Sequence, residues 1–423
     1  MTDIQKENKS GGKVPNNPKQ IPNLRFPEFE GEWEVKKLGE IATFSKGKGI
    51  SKSEIEENGI TECIRYGELY THYREVINEI KSRTNVDKSA LVLSEENDVI
   101  IPASGETTID IATASCVLKP GIALGGDLNI IKSKNDGVFL SYYLNSKKKM
   151  EIANLAQGIS VVHLYSSQLA SLSLSLPTNQ EQEKISTFLA KISERIDCSI
   201  KILIHLKSLI ESLNDSLSKQ KIRINSNFEN WKKVRLGDLG YTFNGLSGKT
   251  KEDFGNGKRY IQYKQIFDSS KIVIENCGYV NVSENENQNS VKYGDIFFTI
   301  SSETPDEIGM SSVLLEDVKN VYLNSFCFGF RLNSFKELLP EFARFLFRSK
   351  VVRNEIKKLA QGSTRYNMSK TELLKLEILL PSIKEQKEIS AFLSSLYQKS
   401  QTEKAILEQL EMQKKYLLQQ MFV

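Results

Sequence analysis

Two stretches of the chain carry apolar residues in alternating steps of three and four. Leu189, Ile192, Ile196, Leu203, Leu206, Ile210, Leu213 and Leu217 form the first seam, with Ser199 its one polar member. Leu393, Leu396, Leu407, Leu410 and Leu417 form the second, interrupted by Ser400, Glu403 and Lys414. Neither seam contains Gly or Pro. The spacing predicts two long helices, over 181–224 and 385–423, that pair with each other as an antiparallel coiled coil. At ~1.5 Å per residue, a helix of about 38 residues spans roughly 55–60 Å, so the pair would be a rigid spacer. The same spacing also allows an amphipathic helix lying on its own globular domain.

Ahead of each helix the pattern is mixed. Asp98-Val99-Ile100-Ile101-Pro102 and Asp295-Ile296-Phe297-Phe298-Thr299 are short continuous apolar runs, which predict equivalent buried strands. Lys271-Ile272-Val273-Ile274 predicts a further strand, and so does 171–176, where Ser and Leu alternate strictly. Helical spacing appears between them, over 138–152 and 341–359. Each half is therefore expected to be an α+β domain, spanning 21–180 and 225–384. Residues 1–20, rich in Gly, Asn, Lys and Pro, are expected to be a disordered tail.

The two halves are also alike in sequence. Aligning 155–189 with 359–393 without a gap gives 14 identities in 35 positions, enough to mark a duplication. They include Leu155-Ala156-Gln157-Gly158 with Leu359-Ala360-Gln361-Gly362, Pro177 with Pro381, Glu181-Gln182 with Glu385-Gln386, and Phe188-Leu189 with Phe392-Leu393. Trp33 and Leu38-Gly39-Glu40 likewise match Trp231 and Leu236-Gly237-Asp238. A repeat of about 200 residues is too long for a solenoid unit, so a whole domain and its helix are doubled. Such a molecule suits a target that is itself double.

Composition narrows the class only a little. The chain has 423 residues, 39% of them apolar, and 57 Lys and Arg against 53 Asp and Glu, for a net charge of +4. It lacks an apolar stretch long enough for a membrane span or a signal peptide. Five scattered cysteines without a CxxC pair predict reduced thiols in a cytoplasmic protein.

The familiar catalytic constellations are missing. Gly248-Lys249-Thr250 ends like a phosphate-binding loop, but Phe243 stands where the first glycine is required. Gly47-Lys48-Gly49 has Lys52 in place of the third glycine of a dinucleotide fingerprint. His72, His163 and His205 lack the companions of a zinc site, and no nucleophile elbow occurs. No catalytic or metal-binding residue is predicted. What remains suits a polyanion. The loops 44–52 and 243–251 are small, polar and basic, fit for phosphate contacts through Lys46, Lys48, Lys52, Lys249 and Lys251, or simply solvated turns. The loops after the two Gln-Gly pairs diverge inside a matched frame. Ser160 to Tyr165 stands against Ser363 to Asn367, as expected of two readers of different sequences. Arg and Asn are shaped for bidentate contacts to guanine and adenine.

The motifs together resemble the specificity subunit of type I restriction–modification enzymes. Pro22 to Trp33 resembles the phrase that opens such subunits. The Leu-Gly-Glu/Asp, the Asp-led apolar strand, the Gln-Gly loop and the Pro-x3-Glu-Gln-x2-Ile helix start then each appear twice in family order. The second half lacks the Leu-Arg-Phe-Pro phrase and enters through Ser226 to Trp231. The resemblance implies two target recognition domains related by a pseudo-two-fold, each reading half of a bipartite site in double-stranded DNA across the helical spacer. It implies two methyltransferase subunits and two motor-nuclease subunits as partners, which carry S-adenosylmethionine and ATP. This chain itself would be non-catalytic, bind no cofactor and touch no membrane. By position, the expected DNA contacts are Lys46, Lys48, Lys52, Ser104, His163 and Tyr165 in the first half. In the second they are Lys249, Lys251, Ser302, Thr304, Arg365, Tyr366 and Asn367. Arg65, Tyr66, Tyr263 and Lys264 follow them. The rival readings are a duplicated coiled-coil scaffold that binds protein partners, and a nuclease built on Asp98, Glu106 or Asp110.

Overall fold

The computed structural model describes residues 19–224, 229–362 and 365–423. Most of the expected tail (1–18), part of the second-half entry (225–228), and Ser363 and Thr364 lie outside the described residues. The chain divides into two compact units, Met1–Ser199 with Ile406–Val423, and Ile200–Ala405.

In the first unit the central sheet has Asp98–Pro102 between Leu128–Ser133 and Ser115–Val117, both antiparallel to it; Ala42–Lys46 and Val76–Ile77 form the edges. All five residues of Asp98–Pro102 are buried. Val99 and Ile101 point into one apolar cluster with Trp33, Phe139 and Leu189, while Ile100 points into another with Ile64, Leu69 and Ile130. A strand covered on both faces needs apolar residues at every position, which explains the unbroken run. One face is covered by helices. The other meets a smaller sheet, in which Thr61–Ile64 pairs with Ser82–Thr84 and Ala123–Leu124.

The second unit repeats the plan. Ile296–Thr299 lies antiparallel between Cys327–Leu332 and Ser311–Val313, with Gly240–Asn244 at the edge. Ile296 and Phe298 belong to one cluster with Trp231 and Phe342, and Phe297 to another with Ile261 and Ile272. Phe254–Ile261 pairs with Gly278–Val280 and Tyr322–Leu323 in the smaller sheet. Each unit closes with a two-stranded ladder, Glu34–Lys37 with Ser173–Leu176 and Lys232–Arg235 with Glu377–Leu380. These ladders tie the start of each domain to the strand before its helix.

The long helices run over Asn179–Ser218 (α1) and Ile383–Gln420 (α2). Both seams are legible in burial. Leu189, Ile196, Ser199, Leu206, Ile210 and Leu217 are buried on α1, as are Leu393, Lys414 and Leu417 on α2. Within the first unit, the start of α1 shares a core with the end of α2, through Ile185 and Leu189 with Leu417, Met421 and Phe422. Within the second, Leu217 at the end of α1 shares a core with Ile389 and Leu393 at the start of α2. The helices therefore run antiparallel inside each unit.

Two expectations need correction. Lys271–Ile274 forms no strand. Lys271 makes a single bridge to Val313, and Ile274–Asn276 turns into a 3-10 helix. The apolar side chains there, Ile272 and Ile274, are buried as loop residues beneath the smaller sheet, so their pattern reports packing rather than pairing. The helical stretches 138–152 and 341–359 each split in two, into Gly137–Ser146 with Lys149–Leu155 and Pro340–Leu346 with Lys350–Lys358.

The Glu-Gln pair at each helix start has a structural explanation. Glu181 takes a two-pronged contact from Arg25 at 2.7 and 2.8 Å, and Glu385 takes the same from Arg223 at 2.9 Å twice. Gln182 and Gln386 bond back to the carbonyls of Pro177 and Pro381 and accept from the amides of Asp136 and Leu339. Arg223 precedes Trp231 by the same eight residues that separate Arg25 from Trp33. The second entry phrase is therefore present with one recognisable residue, the arginine.

Candidate nucleic-acid interface

In each unit the loops between strands gather around the turn that joins the two sheets. In the first unit this turn is 124–129. Gly47 and Lys48 amides donate to the carbonyls of Leu128 and Leu124, and the Gly125 amide donates to Ile64, next to Arg65. Ala103, which precedes Ser104, donates to Asp127 and accepts from Leu164. His163 pairs with Ser104 across Val162–His163 and Ser104–Gly105. The Lys46 ammonium lies 5.9 Å from the Tyr165 ring, and His163 stacks on Tyr165 at 6.5 Å. Lys46, Lys48, Arg65, Ser104, His163 and Tyr165 thus surround one turn, although they come from four separate segments. Tyr66 is half-buried against the core below. Lys52 is exposed in the 3-10 helix Lys52–Glu54.

In the second unit Ser302 pairs with Tyr366 and Ser301 with Asn367. The Tyr263 hydroxyl donates to the Ser301 carbonyl at 2.9 Å, and burial pushes its pKa up, so it stays a donor at neutral pH. Tyr263, Ser302 and Arg365 line one pocket with Phe326, Glu303 and Glu307. Thr304, Lys264 and Asn367 are exposed, and Tyr366 is half-buried. Lys251 is exposed in the 3-10 helix Lys251–Asp253.

Three of the expected contacts are more committed than the sequence suggests. Ser104 and Ser302 are buried, and Ser302 Oγ donates to Glu307 at 3.2 Å. The Lys249 side chain is only 8% exposed and is ion-paired to Glu286 at 2.6 Å. That contact, with the Ser283 amide, holds the Glu286 carboxyl down at about 2. Lys249 would have to leave Glu286 to meet a phosphate.

Several residues not expected from the sequence also stand at this surface. The Gln-Gly loops share a backbone that only glycine permits. Gly158 and Gly362 have φ of +134° and +120°, and a Cβ there would fall 2.0 Å from the Val161 carbonyl oxygen or 2.3 Å from that of Arg365. The shared turn makes Val161 the counterpart of Arg365. Val161 is half-exposed and Ile159 fully exposed, so the first unit presents an apolar tip where the second presents a guanidinium. Ser104-Gly105-Glu106-Thr107 and Ser301-Ser302-Glu303-Thr304 occupy the same turn, and both glutamates are exposed. Phe326 is exposed where the first unit has Asp127. Placing 159–161 beside 363–365 was the available signal for Val161; nothing in the sequence marks Phe326.

Chemically, the surface offers cations, hydroxyls, an imidazole and amide groups, all able to donate hydrogen bonds to an anion or a polar edge. Among the described residues no group of three or more His, Cys, Asp or Glu could hold a metal ion. Asp98 is buried on its strand, where it accepts from the Glu95 amide. No helix among the described residues is long and apolar enough to cross a membrane.

Comparison with known proteins agrees with this geometry. The specificity subunit of the type I restriction enzyme MjaVIII from Methanocaldococcus jannaschii is 23% identical over 425 residues, which cover 95% of this chain and 93% of that protein. The specificity subunit of the type I enzyme EcoKI from Escherichia coli K12 is 22% identical, over 86% of this chain and 82% of its own. Among solved structures, the type I restriction–modification S subunit from M. genitalium superposes with a TM-score of 0.64 at 16% identity, over 95% of this chain and 99% of that one. The type I restriction modification DNA specificity domain matches twice, over residues 30–208 and 228–412. With both halves matched and the interface loops repeated in each, the chain belongs to the type I restriction–modification specificity family.

Proposed function

We propose that this chain is the DNA-reading subunit of a type I restriction–modification complex, in which each unit reads one half of a bipartite site. Partner methyltransferase subunits then methylate adenine, and partner motor-nuclease subunits cut. The observation that carries this reading is the doubled loop frame with unlike tips, Ile159 and Val161 in one unit against Arg365 and Asn367 in the other. Two copies of one frame with different chemistry suit two different half-sites. The long helices would set the gap between half-sites at about one turn of DNA.

Within each interface the residues divide by chemistry. Lys46, Lys48, Lys52, Lys251 and Lys264 would meet phosphates; Arg65, His163, Tyr165, Arg365 and Asn367 are placed for base edges or for ribose and phosphate close by. Ile159 and Val161 would pack on thymine methyl groups. Lys48→Ala should weaken binding to all sequences alike and lower the salt slope by about one, as measured by affinity titration over a salt series. Loss confined to one sequence would make Lys48 a base reader instead.

The test of the whole reading is to express the chain with a methyltransferase partner and map methylated adenines in host DNA. One bipartite motif with a fixed gap is expected, and exchanging residues 231–380 for those of a relative should rewrite only one half of it. A competent complex that leaves DNA unmethylated would favour the scaffold reading.

A further inference from the structure

A cavity of about 250 Å³ in the second unit is lined by four cations, Arg344, Arg348, Lys350 and Arg353, and by one carboxylate, Glu211. Its floor is the helix Pro340–Leu346, and Tyr397 of α2 closes one side. Arg344 and Arg353 are more than nine-tenths buried. No carboxylate pairs with any of the three arginines among the described residues. Arg348 donates to the carbonyls of Ser311, Ile266, Phe267 and Ser269, and Arg353 to those of Asp306, Ile308 and Gly309. Carbonyls satisfy the donors but leave the charge unbalanced. Asp306 acts on Arg353 and Asp268 on Arg348 only through space, and the Asp306 carboxylate is itself engaged by Lys357 at 2.6 Å.

Arg344 is the most exposed to this imbalance. Its Nε donates to Ser270 Oγ at 2.8 Å, and its guanidinium lies against the rings of Phe345 and Tyr397 at 4.9 and 4.6 Å. Its two terminal nitrogens make no hydrogen bond to the described residues. Burial lowers the pKa of all three arginines, to about 10 for Arg348 and Arg353, so each still carries its charge at neutral pH.

The duplicated first unit shows that the fold does not require these charges. Aligning Ser146-Lys147 with Ser349-Lys350 puts Ser141 opposite Arg344 and Asn145 opposite Arg348. Asn145 donates to the Ala114 carbonyl at 2.7 Å, in the place where Arg348 donates to Ser311 at the same distance. The equivalent pocket of the first unit balances two of its cations, Lys414 with Glu75 at 2.8 Å and Arg74 with Asp197 at 3.3 Å. Two buried arginines, with Arg348 half-buried and Lys350 on the rim, around a space of molecular size, call for an anion. A duplex cannot reach Arg344 and Arg353 at this burial, which argues against the DNA backbone as their partner.

We propose that this cavity binds a small phosphate-class oxyanion, either free phosphate or a small phosphate ester, with Arg344 as its principal ligand. Guanidinium forks match tetrahedral oxyanions in paired bonds, and the aromatic walls hold the Arg344 plane in position. The assignment is independent of DNA reading.

Calorimetric titration of the full chain with inorganic phosphate and with glycerol 3-phosphate, at matched ionic strength in chloride, tests it. Saturable binding at one site is expected; tighter binding of the ester would identify an ester as the ligand. Arg344→Met, which keeps the length of the side chain, should weaken binding about tenfold or more, the size of one charged hydrogen-bonded contact. Lys350→Met lies on the exposed rim and should weaken it severalfold in a chain that folds normally, so the test survives a misfolded Arg344 variant. Binding no stronger than chloride, or unchanged in both variants, would overturn the proposal. So would protection of the cavity by an acidic peptide and not by phosphate.

Discussion

Glu181→Ala should lower stability by about 3–5 kcal/mol, because it strands Arg25 against a half-closed site without its counter-charge. The Glu181 side chain is 1% exposed and that of Arg25 14%, and the two meet in a two-pronged contact at 2.7 and 2.8 Å. The pair pushes the Arg25 pKa up despite burial; without it the guanidinium still keeps its proton at neutral pH, so the stranded charge remains. Arg25 also donates to the carbonyls of Gly31 and Glu30, which fixes the entry segment beside Trp33. With a urea slope of about 2–3 kcal/mol per M for a unit of this size, the midpoint should fall by roughly 1–2.5 M. Glu385→Ala should act likewise on the second unit, where the carboxylate also accepts from Trp231 at 3.3 Å. A midpoint unchanged in both variants would show that each arginine finds another partner at no cost.

Arg365→Ala should cost about 1–3 kcal/mol of DNA affinity, roughly 5- to 150-fold, and only for the sequence that places the preferred base opposite it. Arg365 is exposed on a glycine-dictated turn and its pocket is walled by Tyr263, Phe326 and Glu303. A cation on a long free arm would read phosphate; a guanidinium at the rim of a pocket lined by aromatic and carboxylate side chains is suited to present its fork to a base edge. Affinities against a panel of second half-site variants distinguish the two. Discrimination should collapse at one position in the mutant, and Arg365→Lys should not restore it. Equal loss across the panel would mean that Arg365 holds the backbone.

Much of the fold follows from local pattern. The seams of α1 and α2 carried their periodicity through Ser199 and Lys414, both of which are buried on the seam. The strands Asp98–Pro102 and Ile296–Thr299 were legible because burial on both faces leaves an unbroken apolar run. Lys271–Ile274 failed for the converse reason, since buried loop residues can imitate a strand when no neighbouring chain offers a ladder. The Arg223–Glu385 pair was hidden because a single arginine carries the entry motif, and its partner lies 162 residues away.

The sequence by itself determined the duplication, the long helices, the buried strands and the family, because these rest on spacing and repetition along the chain. The tertiary structure alone decided which loop residues reach the surface together. Exposure depends on what packs against a residue, and here the packing partners come from distant segments. Lys249 looked free and is neutralised by Glu286, 37 residues on. Ser104 and Ser302 looked like contacts and are covered, while Ile159 and Val161, which were not named as contacts, stand in solvent. The same rule governs the arginines of the second unit. Their charges are visible in the sequence, but that they surround one cavity without carboxylate partners is a fact of three dimensions.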